Sequence, residues 1–202
     1  MNTTTIIELL RHGEVEGKDV YRGVTDDPLT DAGWQQMVKA LEGKEGWDIV
    51  ISSPLQSCSE FAELIASEED VDCEVINPLK EIDYGLWDGL SPDEILEDSS
   101  GENSDLLHAW SKSPTNITPP DGEDYHEFQG RVLKAFKKIV TENQGQKVLI
   151  VTHSGVIRLI LMDILGMQNE KLFSLSIKNG SYSKVYIHHD DTGQQGCLIE
   201  HR

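Results

Sequence analysis

The chain of 202 residues is long enough to bury a substantial core, and its 38% hydrophobic and 26% charged residues exclude a largely disordered polypeptide. With 17 basic and 36 acidic side chains, the formal net charge is −19, which argues against nucleic acid and membranes as partners. Its 3 scattered cysteines, and the lack of a basic segment leading into an apolar one near the N-terminus, predict a cytoplasmic location.

In the first half of the chain, short apolar runs alternate with segments of helical pattern. The apolar runs predict strands, because they are rich in β-branched residues and too short for confident helices; they span 5–10, 47–52 and 73–77. The helical patterns cover 31–41, with Thr30 as its N-cap, and 55–66.

Segment 97–122 has a different composition. It is rich in Ser, Asn, Pro, Gly and acidic residues, and contains one short candidate helix around 106–110. Segments of this kind often cover binding sites. We therefore expect one domain spanning 1–202, with 97–122 as a lid-like insertion.

The second half of the chain returns to alternating strands and helices. A long amphipathic helix is predicted over 123–142, a central strand over 147–152, a helix over 154–165 and a late strand over 182–188. This alternation predicts an α/β fold, in which a mostly parallel central sheet lies between helices on both faces as a three-layer sandwich.

Two of the predicted strands are followed by histidine in similar settings. His12 and His153 each come directly after an apolar run and shortly before a glycine, and Arg11 stands beside the first. If the strands are neighbours, both imidazoles meet at the carboxyl edge of the sheet, where α/β proteins bind ligands. Two imidazoles, a guanidinium and a helix N-terminus suit a phosphate group.

These residue types also suit phosphoryl transfer. An imidazole nitrogen is nucleophilic at neutral pH, so it can accept a phosphoryl group and pass it to water. A carboxylic acid must then protonate the leaving oxygen. Glu81 is our candidate for this acid, with Asp83 and Asp88 as rivals; Asp88 more simply caps a loop.

Six segments in order carry a resemblance to a known family. They are RHGE (11–14), YRGVTDDPLTDAGWQQ (21–36), ISSPLQSC (51–58), LKEIDYGLWDG (79–89), PPDGEDYHEFQGRV (119–132) and VTHSGVIR (151–158). Together they resemble the histidine phosphatase superfamily, also called phosphoglycerate mutase-like. The sequence of residues 83–89 is similar to that of the phosphatase branch of this superfamily. It is similar in particular to that of α-ribazole-5′-phosphate phosphatases of cobalamin biosynthesis.

The resemblance implies a role for each matching residue. His12 would be the phosphorylated nucleophile, Arg11 and His153 would bind phosphoryl oxygens, and Glu81 would be the general acid. The remaining expected binding residues are Gly13, Glu14, Tyr21, Arg22, Gly23, Ser57 and Ser154. The resemblance implies no metal and no cofactor. The expected partner is a small-molecule phosphate ester, with a homodimer left open.

One position departs from the family pattern. The family carries a second phosphate-binding arginine where this chain has Ser57. Losing such a donor typically costs on the order of a hundred- to a thousand-fold in rate. Three alternatives stay open: Lys18, Arg22 or Lys80 replaces it, the enzyme is slow, or the protein binds phosphorylated ligands without turnover. A phosphoglycerate mutase is a weaker option.

Overall fold

The computed structural model describes residues 3–97, 102–191 and 193–202, and does not describe the side chains of residues 102 and 103. The strands are β1 (Thr3–Arg11), β2 (Ile49–Ser52), β3 (Cys73–Val75), β4 (Lys147–Thr152), β5 (Tyr182–Asp190) and β6 (Gly193–His201). The helices are α1 (Asp31–Ala40), α2 (Gln56–Glu69), α3 (Pro92–Leu96), α4 (Glu102–Lys112), α5 (Tyr125–Glu142) and α6 (Ser154–Leu165). Residues 98–101 of the predicted lid-like insertion lie outside the described residues.

The sheet has the strand order β3-β2-β4-β1-β5-β6. Its first four strands run parallel to one another, while β5 and β6 are antiparallel to their neighbours. The mostly parallel sheet is therefore confirmed. The sequence did not predict β6, because its polar start, Gly193 to Gly196, lacks the β-branched residues that mark a strand.

Alternating side chains of the central strands feed two hydrophobic clusters. Ile7 and Leu9 of β1 pack with residues of α5 and α6, whereas the neighbouring Leu10 packs with residues of α1 and α2. Strand side chains point to opposite faces in turn, so each face of the sheet is covered by its own pair of helices. This is the predicted three-layer arrangement.

The helix boundaries follow local capping signals. The Thr30 hydroxyl accepts the Gly33 N–H at 2.9 Å, as predicted for the start of α1. Asp124 caps α5, which therefore begins at Tyr125, two residues later than predicted. Helix α6 has the predicted bounds and ends at Gly166 in the left-handed conformation (φ 60°).

A third, smaller hydrophobic cluster lies under α4. Trp87, Ile95, Leu107 and Trp110 are its buried members, and Tyr21 and Tyr84 pack against it. Trp110 lies edge-on to both tyrosines, with ring centres 5.5 Å and 6.0 Å apart. Helix α4 is longer than the predicted 106–110 and brings the insertion onto the loops after β1 and β3.

Candidate active site

The two histidines meet because their strands are paired. Arg11 of β1 is in register with Thr152 of β4, and the next residues are His12 and His153. The backbone N–H of His12 donates to the Thr152 carbonyl at 3.0 Å, and the two imidazole centres are 5.1 Å apart. The pairing confirms that the strands are neighbours and that both histidines lie at the carboxyl edge of the sheet.

One ring nitrogen of His12 is occupied and the other is not. Nδ1 lies 2.8 Å from the Gly13 carbonyl, which can only accept, so Nδ1 carries the hydrogen and Nε2 keeps its lone pair. Burial, together with His153 and Arg11, lowers the pKa of His12 to about 3. At neutral pH this imidazole is therefore uncharged and oriented as a nucleophile.

His153 is buried, with only 3% of its surface exposed. Its Nε2 lies 2.7 Å from the Ser53 hydroxyl and 3.7 Å from the Cys58 sulfur. Burial and the charge of Arg11 lower the pKa of His153 to about 3, and burial raises the pKa of the Cys58 thiol. Both imidazoles are therefore neutral in the free protein near pH 7.

Arg11 presents a buried donor that no atom of the described residues satisfies. Its Nη1 donates to the Ile177 carbonyl at 2.9 Å, while its buried Nε has no hydrogen-bond partner among the described residues. An unpaired buried donor is costly unless a ligand completes it. Arg11 lines the same cavity as His12, so its positive charge favours an anion there.

The Glu81 carboxylate sits at the first turn of α6 and is 6% exposed. Its Oε2 accepts the Gly155 N–H at 2.8 Å and the Ser154 hydroxyl at 3.2 Å, and its Oε1 accepts the Ile82 N–H at 3.1 Å. The amide at the start of α6 therefore holds Glu81 and is not free for a phosphate. A Cβ at position 155 would overlap Oε1 of Glu81, so only glycine permits this contact.

Arg131 of α5 fixes the backbone that carries Glu81. Its Nη1 donates to the Pro78 and Lys80 carbonyls, both at 2.9 Å, and its Nη2 donates to the Glu81 carbonyl at 2.8 Å. Its Nε and Nη2 hold both oxygens of the Glu123 carboxylate at 2.6 and 2.8 Å. All five guanidinium N–H groups are thus used, and none remains for a ligand.

Asp88 joins the loops that follow β1 and β3. Its carboxylate accepts the backbone N–H groups of Gly23, Val24 and Thr25 at 2.6, 2.8 and 2.9 Å, and the Thr25 hydroxyl as well. A Cβ at Gly23 would overlap the Ile82 carbonyl. Asp88 is therefore the predicted loop cap, and Asp83, which accepts the Gly85 N–H at 2.8 Å, also serves a turn.

A cavity of about 210 Å³ opens beside His12. Its walls include six predicted residues: Arg11, His12, Tyr21, Arg22, Glu81 and Ser154. The other five predicted residues, Gly13, Glu14, Gly23, Ser57 and His153, do not line it. Gly13 acts on His12 through its carbonyl, Gly23 packs under Glu81's loop, and His153 lies behind His12.

Of the three candidate replacements for the missing arginine, Arg22 lines the cavity, whereas Lys18 and Lys80 do not. Lys18 pairs with Glu94 at 2.9 Å and is 77% exposed, away from the cavity. Arg22 lines the cavity, but its Nε pairs with Asp27 at 2.8 Å and its Nη2 donates to backbone carbonyls. Lys80 lies in another surface depression, and Ser57, 5% exposed, is buried at the start of α2.

Besides Arg131, three residues at or near the site were not predicted from the sequence. Asn179 and Tyr84 line the cavity, and Arg158 lies on α6 four residues after Ser154. The spacing of Arg158 could have placed it on the same helix face as Ser154. Asn179 reaches the site only through the turn before β5, where the Gly180 N–H donates to the His12 carbonyl at 3.2 Å.

Within the described residues, no group of three or more His, Cys, Asp or Glu side chains could hold a metal ion. In the same part of the chain, no helix has the length and apolar composition needed to cross a membrane.

Comparison with known proteins agrees with this geometry. A model of the histidine phosphatase superfamily, branch 1, matches residues 7–196. The chain belongs to this superfamily. The predicted family and fold are thereby confirmed.

Several relatives of this histidine phosphatase are similar along most of its length. The bifunctional protein Rv2228c of Mycobacterium tuberculosis is 32% identical over 193 residues, which cover 93% of this chain and 52% of that protein. The chain therefore spans about half the length of the first curated relatives it matches. The adenosylcobalamin/alpha-ribazole phosphatase of Escherichia coli is 26% identical, over 89% of this chain and 88% of that protein.

The solved structure of YhfR from Bacillus stearothermophilus superposes on this histidine phosphatase with a TM-score of 0.82 at 27% identity. The superposition covers 96% of each chain. The fold is thus shared over nearly the whole length of both proteins.

Proposed function

We propose that this protein is a metal-independent phosphatase that hydrolyses a small-molecule phosphomonoester through a phosphohistidine at His12. The observation that carries the proposal is that Nε2 of His12 keeps its lone pair beside a cavity that the guanidinium-bearing Arg11 also lines. In this proposal the nucleophile and a donor for phosphoryl oxygens come from adjacent residues.

The proposed reaction has two displacements. Nε2 of His12 attacks phosphorus, the ester P–O bond breaks, and protonated Glu81 gives its proton to the leaving oxygen. Water then attacks the phosphohistidine, Glu81 takes a proton from that water, and the P–N bond breaks to release phosphate. Arg11 stabilises charge on the phosphoryl oxygens in both steps.

Hydrolysis of p-nitrophenyl phosphate in the presence of EDTA tests this proposal, with wild type beside His12→Ala. We expect activity in the wild type and a loss of at least about 10⁴-fold in the variant. His188→Ala is the matched control, because His188 is an exposed histidine of β5. The trapped phosphoenzyme should be labile to acid, since a phosphoenzyme that survives acid would indicate a phosphoserine instead.

A non-catalytic phospho-ligand binder is the second candidate, favoured by Ser57 at the position of the family's second arginine. Tight phosphate-ester binding by calorimetry without product release would support the binder. We also propose a cytoplasmic location, supported by 3 free cysteines among the described residues. The name of the Escherichia coli relative makes α-ribazole-5′-phosphate a candidate substrate.

A further inference from the structure

Two guanidinium groups line the cavity beside His12. Arg11 and Arg22 are the only arginine or lysine residues among the described residues that line it, and His12 is uncharged near pH 7. A phosphomonoester carries close to two negative charges at that pH. Arg11 alone would therefore leave about half of this charge without a partner, and a second cation on the same cavity would balance it.

Two further arginines near the site are placed differently. Arg158 lines an adjoining cavity of about 40 Å³, which shares Glu81 with the first cavity and lies toward Trp110. In the proposed reaction Glu81 stands between the phosphoryl group and the leaving group, so the cavity toward Trp110 is on the leaving-group side of Glu81. Arg131 gives all its N–H groups to protein atoms. Arg22 is therefore the candidate for the second cation.

The guanidinium of Arg22 is held by three hydrogen bonds that leave one of its nitrogens unused. Its Nε donates to the Asp27 carboxylate at 2.8 Å, and its Nη2 donates to the Glu16 carbonyl at 3.0 Å and to the Lys18 carbonyl. Within the described residues, no protein atom accepts a hydrogen bond from Nη1. Both N–H groups of Nη1 therefore remain for a ligand.

The loop after β1 is folded around this guanidinium. The two acceptor carbonyls, of Glu16 and Lys18, flank Gly17, whose φ of 92° lies in the left-handed region that glycine adopts readily. The side chain of Arg22 is only 19% exposed. A free arginine side chain loses conformational entropy when it binds a ligand, but these hydrogen bonds have already fixed Arg22. Arg22 is thus a preorganised cation on the wall of the cavity.

Resting on the proposed function, we propose that Arg22 is the second cation that binds the phosphoryl group, with Nη1 donating to phosphoryl oxygens. Ser57, at the position of the family's second arginine, is 5% exposed and does not line the cavity, so Arg22 supplies this charge from the loop after β1. All phosphomonoesters have the same phosphoryl oxygens. The contribution of Arg22 is therefore independent of the leaving group.

The test compares Arg22→Gln with the wild type on two esters with unlike leaving groups, p-nitrophenyl phosphate and glycerol 3-phosphate. We expect kcat/KM to fall by about 100-fold or more on both, and the inhibition constants of inorganic phosphate and orthovanadate to rise by about 10-fold or more. Arg22→Lys should restore only part of the loss, because lysine keeps the charge without the planar fork.

Two control variants accompany this comparison. Asp27→Ala removes the partner of Nε and loosens the same loop but keeps the guanidinium, so we expect losses below about 10-fold. Lys39→Gln removes one positive charge from the exposed face of α1 and should change neither kinetics nor inhibition. Circular dichroism checks that each variant is folded.

A loss confined to one ester would assign Arg22 to the leaving group and overturn the proposal. Equal losses in Arg22→Gln and Asp27→Ala would also overturn it, because Arg22 would then act only on the loop. If the wild type hydrolyses neither ester, the phosphatase proposal fails separately, and calorimetry with inorganic phosphate judges the role of Arg22. Affinity that falls about 10-fold in Arg22→Gln but not in Asp27→Ala supports it, whereas unchanged affinity, or no binding by the wild type, overturns it.

Discussion

The two sides of Glu81 are built in different ways. On the nucleophile side, His12 and His153 are fixed by paired strands, and their ring nitrogens contact residues close to strand ends. On the leaving-group side, Trp110 and Arg158 come from segments far apart in the chain and meet through side-chain packing. In the proposed reaction, backbone pairing positions the nucleophile, whereas packing of separate segments shapes the space for the leaving group.

The largest expected effect comes from replacing Glu81, the proposed acid, which lies between the nucleophile side and the leaving-group side. Glu81→Gln should lower kcat by about 10³-fold on glycerol 3-phosphate, whose alkoxide needs a proton to leave. On p-nitrophenyl phosphate the rate of the first step should fall by less than about 10-fold, because the phenolate leaves without a proton. Hydrolysis of the phosphohistidine loses its base with either ester, so a burst of p-nitrophenol should precede slow turnover. Rapid-quench kinetics measures the first step on both esters. Asp83→Asn is the control, and equal losses in the first step on both esters would contradict the role of Glu81 as acid.

Replacing Arg131, which holds the backbone around Glu81, should have the next largest effect. Arg131→Met leaves Glu123 and three backbone carbonyls without their donor. We expect kcat to fall about 100-fold with little change in KM, and the free energy of unfolding to fall by about 2–3 kcal/mol. Kinetics and urea unfolding measure the two effects.

A second variant separates positioning from stability at the same place. Adding Glu123→Leu to Arg131→Met removes the unpaired carboxylate, so part of the lost stability should return. The kcat should stay low, because the carbonyl of Glu81 is still unsupported. Recovery of kcat together with stability would show that Arg131 acts on stability alone.

The leaving-group side can be disturbed by itself. Trp110→Ala removes the ring that contacts Tyr21, Tyr84 and Phe173, so we expect KM for glycerol 3-phosphate to rise about 10-fold. The kcat should change by less than about 3-fold, since Trp110 touches neither His12 nor Arg11. Trp110→Phe keeps an aromatic ring and should lie between the two. A fall in kcat larger than the rise in KM would show that Trp110 also affects the reaction at His12.

On the nucleophile side, the lowered pKa of His153 makes the free energy of unfolding depend on pH. The folded-state pKa of His153 is lowered to about 3, below its usual value of about 6.5, so the unfolded chain binds more protons between these values. Stability is therefore complete above about pH 6.5 and falls as pH drops toward 3. Between pH 7 and pH 5.5 we expect this histidine to cost about 1 kcal/mol. Urea unfolding at both pH values should show a smaller fall in His153→Gln; an equal fall would argue against this cause.

The predictable part of the site was the part encoded locally. A strand run followed by His-Gly or His-Ser-Gly placed His12 and His153, and the strand register brought them together. Glu81 was found through the resemblance and a following glycine loop. By contrast, the pairing of Lys18 with Glu94 joins residues 76 positions apart, and no local pattern reveals it.

The same reason explains why Arg131 was overlooked. It lies on α5 between the buried Phe128 and Val132, with charged residues three and four positions away. Nothing in this local pattern marks it, because its partners in the 78–81 loop depend on tertiary contact. Helix caps at Thr30 and Asp124 are local, and the structure agrees closely with the sequence there.

The position of the Glu81 carboxylate also depends on the absence of a Cβ atom at residue 155. At residue 155 the space a methyl group would fill is occupied by Oε1 of Glu81. Gly155→Ala would place a Cβ atom where the Glu81 carboxylate lies and would displace that carboxylate. Neither Glu81 nor His12 would be changed by this substitution. In the proposed mechanism, the position of the acid thus depends on the missing side chain of Gly155 as much as on the identity of Glu81.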